Sequence, residues 1–223
     1  TSDEVNRRRK EIAIRKVNVL DSIEEAVKFG VPSFKVFMVY DFGVTDGVFY
    51  KVLKKAKECG ALIEVHAENN EMVNTLTQQY LSEGKTSAWY HYMSRPEFVE
   101  AEADIRAIQW AKALDAPLYI VHLANKDGVK AVTEAKDEGY KIYAETCPQY
   151  LLLDDSVYSK PDFEGAKYVC APPIRKKADQ DCLWKALAND QIQTVATDQC
   201  SFTLAQKAMG KEDFTKIPGG LPG

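Results

Sequence analysis

Two kinds of phosphate-binding feature are missing from this sequence. It contains no Gly-rich loop of the Rossmann or P-loop type, which weighs against a nucleotide-binding sheet. It also lacks a basic surplus, because 33 aspartates and glutamates outnumber 29 lysines and arginines and leave a net charge of -4. A chain without that surplus has little with which to neutralise phosphates, so the balance argues against nucleic acid as a partner.

Long apolar runs and paired cysteines are missing as well. No uninterrupted apolar run approaches the roughly 20 residues that a membrane span needs, and the N-terminus shows no signal-peptide core. The five cysteines are odd in number and form no CxxC pair, which argues against a disulfide framework and a zinc-cysteine cluster. We therefore expect a cytoplasmic protein with reduced thiols and no membrane partner.

Short apolar runs alternate with helical patterns along the chain. The predicted strands are 33–40, 61–66, 117–122, 140–146 and 194–198. This alternation indicates a parallel α/β fold, either a barrel or a doubly wound sheet. Between the second and third strands, the aromatic segment 85–94 is predicted to be a loop, and Ser94-Arg95-Pro96-Glu97 has the form of a capping box that opens a helix.

A single lysine, Lys35, lies among the apolar and aromatic residues of the first predicted strand, SFKVFMVY. If this strand is buried on both faces, a charged lysine there needs a partner, a metal, or a chemical change that removes its charge. The alternative is a lysine near the strand end that reaches water along its aliphatic stem. Strand alternation places Tyr40 on the face opposite Lys35.

Polar residues recur where the later predicted strands end. His66, His122 and Asp198 close the second, third and fifth strands, and in a barrel the active site lies at the carboxyl ends of the strands. A lone histidine after a strand is more often a core residue, but two of the three histidines here occupy equivalent positions. Imidazoles and a carboxylate suit a hydrolytic zinc site, whose bridging anion Lys35 could supply as a carbamate. His91, in the aromatic segment, is assigned no role.

Several motifs together resemble one enzyme family. SFKVFMVY, EVHAEN, SRPEFVEAEA, PLYIVHLAN, AETCPQYL, ATDQCSF and IPGGLPG resemble, in order and spacing, the hydantoinase and dihydropyrimidinase family of cyclic amidohydrolases. The resemblance runs from about residue 30 to the end of the chain. It implies a TIM (β/α)8 barrel, of which residues 21–223 would form a partial barrel with about the last five strands. Residues 1–20 are left as an unassigned N-terminal arm.

The resemblance also implies a metal centre and a reaction. Two zinc ions would be bridged by carboxylated Lys35, with His66 and His122 on one ion and Asp198 on the other. The implied reaction is hydrolysis of a hydantoin or dihydropyrimidine to an N-carbamoyl amino acid by metal-bound hydroxide, with Asp198 moving the proton. Tyr40 would hydrogen-bond the oxyanion, for which it must lie past the end of its strand.

Substrate contacts and assembly follow from the same resemblance. Backbone groups near Ala171 and Gly219 would hold the cyclic diamide, and family members suggest a homotetramer. Ala171, Gln199 and Gly219 depart from the usual family residues, and the first two metal ligands of the family, a His-x-His pair, occur nowhere in the chain.

The missing His-x-His pair keeps other interpretations open. We expect the sequence to be a fragment that is inactive or weakly active by itself. The alternatives are a catalytically inactive dihydropyrimidinase-like scaffold protein, an allantoinase or a dihydroorotase.

Overall fold

The computed structural model describes residues 19–222 of the chain. The predicted N-terminal arm, 1–20, falls almost entirely outside these residues, and the first described helix begins at Val19, within the last two positions of the arm. In the described part no helix is both long enough and apolar enough to cross a membrane.

Five parallel strands form one sheet at the centre of the structure. They are β1 (Ser33–Phe37), β2 (Leu62–His66), β3 (Leu118–Ile120), β4 (Ile142–Thr146) and β5 (Thr194–Val195). Each strand pairs with the next one along the chain, in the order β1-β2-β3-β4-β5. A doubly wound sheet reverses its strand order at a switch point, and this sheet has no such reversal. The fold is therefore α/β with five consecutive strands of a TIM-type barrel, as predicted.

Helices lie between consecutive strands along the chain, and one more helix precedes β1 and another follows β5. They are α1 (Val19–Lys28), α2 (Asp46–Cys59), α3 (Asn70–Ser82), α4 (Trp89–Met93), α5 (Glu97–Leu114), α6 (Lys126–Asp137), α7 (Pro148–Leu152), α8 (Lys177–Ala188) and α9 (Leu204–Lys207). The side chain of Asn69 caps α3 by accepting from the backbone N–H of Met72, as the sequence predicts. Gly60 ends α2 in a left-handed conformation, φ 74°, which only glycine adopts without strain.

The hydrophobic core lies between the helices and one face of the sheet. Ile63, Leu118 and Ile142 on the central strands are buried and pack with Leu53 of α2 and Leu183 of α8. Alternate positions of the same strands point to the other face, which is polar and partly open. There the Tyr119 hydroxyl donates to the Glu145 carboxylate at 3.0 Å.

Several local predictions were wrong. Segment 85–94 contains helix α4 instead of being only a loop, because its aromatic side chains pack into the core. The predicted capping box does not form: Pro96 precedes α5 without a side-chain cap, and the Ser94 hydroxyl donates back to the carbonyl of His91 at 3.0 Å. The first, third and fifth strands end earlier than predicted, which places Tyr40, His122 and Asp198 in the loops that follow them.

We predict that Ile63, on the core side of β2, contributes far more to the free energy of unfolding than an exposed strand residue does. Ile63 is 0% exposed, so Ile63→Ala should remove packed atoms, leave a cavity and lower the free energy of unfolding by about 2–5 kcal/mol. Val195→Ala in β5 is the matched control, because Val195 is 49% exposed and its truncation should cost less than about 0.5 kcal/mol. Urea denaturation measures both values, and equal losses would contradict this account of the core.

Candidate active site

One cavity at the carboxyl edge of the sheet collects all the predicted site residues. It encloses about 200 Å³. Its lining includes Lys35, Tyr40, His66, His122, Ala171, Asp198 and Gly219. The strands are parallel and their ends lie side by side, with Phe37 of β1 in register with His66 of β2. Residues that follow different strands therefore meet at one edge.

Three of the lining residues have left-handed backbone conformations. Tyr40, His122 and Asp198 have φ values of 77°, 41° and 46°, a region that non-glycine residues seldom adopt. Each lies two or three residues beyond the end of its strand, where the chain turns out of the sheet. Strain of this kind persists only where the surrounding structure enforces it, and it is concentrated at functional sites. The predicted position of Tyr40, past the strand end, agrees with this geometry.

His66 is held in place by a buried carboxylate that sequence reasoning missed. Its Nε2 lies 2.7 Å from Oε2 of Glu68, and the same oxygen accepts from Nη1 of Arg95 at 2.6 Å. Burial alone raises the pKa of Glu68, but the Arg95 charge and the His66 hydrogen bond outweigh it and hold that pKa well below its usual range. An ionised carboxylate can only accept, so His66 donates from Nε2 and its Nδ1 keeps a free lone pair.

His122 stands against His66 with its own ring available. The two ring centroids are 4.5 Å apart in an edge-on arrangement. Nδ1 of His122 is buried and has no hydrogen-bond partner among residues 19–222. Burial, and then the neighbouring His66, lower the pKa of His122 well below its ordinary value, and burial also lowers that of His66. Both imidazoles are therefore neutral, the form that binds metals.

Lys35 is exposed in the described part of the chain, so the condition of a strand buried on both faces is not met there and the alternative of a lysine that reaches water describes it better. β1 is the edge strand of the described sheet, and Lys35 points to its open face, so the residue is exposed. Protein partly surrounds the amine at the end of the side chain and removes water from it, which lowers the pKa of Lys35. The negative charges nearby, with Asp198 first, only partly offset this desolvation. A lowered pKa increases the fraction of neutral amine, which is the form that reacts with carbon dioxide.

Tyr40 lies between the histidines and the buried ion pair. Its ring centroid is 5.4 Å from that of His66, and the Arg95 guanidinium stacks 5.6 Å from it. The backbone N–H of Tyr40 donates to the Asn70 side chain at 3.0 Å, which fixes the loop at the start of α3. Burial raises the pKa of Tyr40, so its hydroxyl stays protonated and can donate to an oxyanion.

A further part of the cavity lining, which we call the backbone wall, is formed by the segments 170–171 and 219–221. Nε2 of His91 lies 2.9 Å from the carbonyl oxygen of Cys170, next to Ala171. Burial lowers the pKa of His91 to about 3, so this histidine, which the sequence left without a role, is a neutral structural donor. Gly220 donates from its backbone N–H to the carbonyl of Val169 at 2.9 Å and joins the two segments of the wall.

The chemical types of the predicted donors, and not their present spacing, suit a metal centre. Within residues 19–222 no three histidine, cysteine, aspartate or glutamate side chains converge as a metal-binding group. His66, His122 and Asp198 are three residues of those types, so they line one cavity without lying close enough together to form such a group, and the fourth predicted ligand is a lysine that becomes anionic only when carboxylated. The unpartnered buried Nδ1 of His122 and the neutral state of both imidazoles nevertheless match what zinc requires.

Comparisons with known proteins agree with the fold. No family model matches the chain. D-hydantoinase of Geobacillus stearothermophilus is 46% identical over 209 residues, which is 92% of this chain and 44% of that protein. The crystal structure of dihydropyrimidinase from Brevibacillus agri NCHU1002 is 48% identical, with a TM-score of 0.91 over 93% of this chain and 46% of the other. L-hydantoinase (dihydropyrimidinase) from Arthrobacter aurescens is 29% identical, with a TM-score of 0.84 over 92% of this chain and 46% of that one.

The fold and the cavity define a segment of a barrel with its active-site edge. The chain spans somewhat less than half the length of the curated relatives that it matches. Over the region that it covers, it belongs to the D-hydantoinase and dihydropyrimidinase family.

We predict that Glu68 sets the proton position on His66. With only three histidines, the ring nitrogens of ¹⁵N-labelled protein can be resolved by NMR. In the wild type His66 should be protonated on Nε2 alone, whereas Glu68→Gln should give a mixture of tautomers, because an amide can both donate and accept. Metal affinity should fall by about 10–100-fold. His91, bonded to a carbonyl, is the internal control and should keep its signal; an unchanged His66 tautomer would contradict the assignment.

Proposed function

We propose that the complete gene product containing this chain hydrolyses a cyclic diamide, a hydantoin or a dihydropyrimidine, to an N-carbamoyl amino acid. The observation that carries the proposal is the convergence of Lys35, His66, His122 and Asp198 in one cavity. Lys35 lies within β1, the other three lie at or just beyond the ends of β2, β3 and β5, and the matched relatives are D-hydantoinases and a dihydropyrimidinase. A scaffold protein would have no need of this combination of residues.

Two zinc ions bridged by a carboxylated Lys35 are part of the proposal. His66 and His122 would hold one ion, and Asp198 the other. Bound zinc supplies Lewis acidity and lowers the pKa of a water molecule to near neutrality. The neutral imidazoles and the lowered pKa of the Lys35 amine support this assignment. The cytoplasmic location and the tetramer remain proposals that rest on the family resemblance.

The residues of this chain would divide the chemistry among them. Water adds to the ring carbonyl carbon, and the carboxylate of Asp198 accepts its proton. Tyr40 donates a hydrogen bond from its hydroxyl to the carbonyl oxygen, where negative charge develops. Asp198 then passes the proton to the ring nitrogen as the C–N bond breaks. Backbone groups near Ala171 and Gly219, in the backbone wall, would hold the diamide in place.

The function is tested by turnover in Asp198→Asn. Hydantoin and dihydrouracil are assayed by loss of ring absorbance and by detection of the N-carbamoyl product. Asparagine keeps the shape and one oxygen ligand but removes the base, so kcat should fall by at least about 10²–10⁴-fold with zinc content largely kept. Near-normal turnover in the variant would show that another group moves the proton. No turnover by the wild type would contradict the proposed function and favour a scaffold.

The bridging lysine is tested by metal content. Lys35→Ala should lower bound zinc to one ion or fewer per chain, because the shared anionic bridge is lost, and short-chain carboxylic acids should partly restore it. Intact mass of the wild type should show the addition of one carbon dioxide. Lys51→Ala, at an exposed position of α2, is the control and should keep its zinc. A free Lys35 amine in fully zinc-loaded, active protein would rule out the carboxylated bridge.

A further inference from the structure

Lys207 is a buried lysine outside the site described above. It is the last residue of α9 and only 4% exposed. Its Nζ donates to three backbone carbonyls, those of Val169 at 2.9 Å, Pro218 at 2.8 Å and Gly220 at 2.9 Å. An ammonium has three donors, so this arrangement satisfies all of them.

One of the three carbonyls belongs to Gly220, which lines the cavity, and the other two belong to residues directly beside the two segments of the backbone wall. Val169 immediately precedes Cys170 and Ala171, which line the cavity, and Pro218 and Gly220 flank Gly219, which lines it from the second segment. Lys207 itself is absent from the cavity lining. Its amine therefore lies outside the cavity and holds the two segments of the backbone wall together through its hydrogen bonds.

In the part of the chain that the structure describes, no carboxylate forms an ion pair with this ammonium. Burial lowers the pKa of its amine to about 8. A methionine of similar length would fill the same space without that electrostatic cost. The three carbonyls are the feature of the structure that requires a charged donor here.

We propose that Lys207 is a positioning residue that sets the spacing and orientation of the two backbone segments against which a cyclic substrate binds. This inference rests on the proposed function and names a part of its binding site. The hydrogen bonds of the Lys207 amine all go to backbone carbonyls, and none goes to His66, His122 or Asp198. Replacing Lys207 should therefore weaken substrate binding more than it slows the chemical step. The expected kinetic result is a raised KM with kcat largely kept.

The test is Lys207→Met in the complete gene product, with Lys211→Met as the matched control. Lys211 lies four positions later in the same segment and is exposed. We expect KM for hydantoin or dihydrouracil to rise about tenfold or more in Lys207→Met, with kcat within about threefold of the wild type. Lys211→Met should leave both unchanged.

Amide hydrogen exchange provides a readout that does not depend on activity. The N–H of Gly220, bonded to Val169, and the N–H of Cys200, bonded to Leu221, report on the wall directly. Both should exchange at least tenfold faster in Lys207→Met, while the amides of β2 and β3 stay protected. Uniformly faster exchange, or an equal fall in kcat and active fraction, would mean that Lys207 only stabilises the fold and would overturn the proposal.

The remaining outcomes are also decisive. Unchanged KM and unchanged exchange in Lys207→Met overturn the inference. If that variant does not fold, Lys207→Gln keeps only two of the three donors, so KM and exchange at Gly220 and Cys200 should still rise, though less than in Lys207→Met, and the absence of a rise in either would overturn the inference. If the wild type turns over no cyclic diamide, the proposed function fails by itself. Faster exchange at Gly220 and Cys200 in the Lys207 variant would still support the role of Lys207 in holding the two segments together.

Discussion

Parallel pairing of consecutive strands is the constraint on which the rest of this structure depends. Because every strand runs in the same direction and pairs with the next, all five carboxyl ends lie along one edge. Lys35 and Asp198, near opposite ends of the described chain, line the same cavity because their strands share this edge and the sheet curves as a segment of a barrel. The helices that make the parallel connections cover one face of the sheet, and this packing builds the core that keeps the edge in place.

The same edge is where the backbone departs from relaxed geometry. Three strands are followed by a non-glycine residue with positive φ, and in each case that residue is a proposed functional one: Tyr40, His122 or Asp198. The turn redirects the side chain from the sheet into the cavity. A cost of about 1–3 kcal/mol for each such residue is offset by burial elsewhere, which links the stability of the core to the geometry of the site.

A layer of buried charges supports the site from behind. Glu68 bonds His66 and Arg95, and Arg175 in turn donates to the carboxylate of Glu100 at 2.8 Å. Replacing one member of such a pair leaves an unpaired buried charge, which costs far more than the pair itself contributes. Together with Lys207, these groups fix both walls of the cavity, one through side chains and the other through backbone carbonyls.

The sequence by itself determined the alternation of strands and helices, the caps such as Asn69, and the placement of His66, His122 and Asp198 at strand ends. These features are local, because periodicity and turn residues act over a few positions. Glu68 carried a faint signal, as a carboxylate two residues from a candidate ligand, but its partner Arg95 carried none. Only the tertiary structure decided the meeting of residues from β1 to β5 in one cavity, the ion pair of Glu68 with Arg95 behind His66, and the role of Lys207, because each depends on distances between segments remote in the chain.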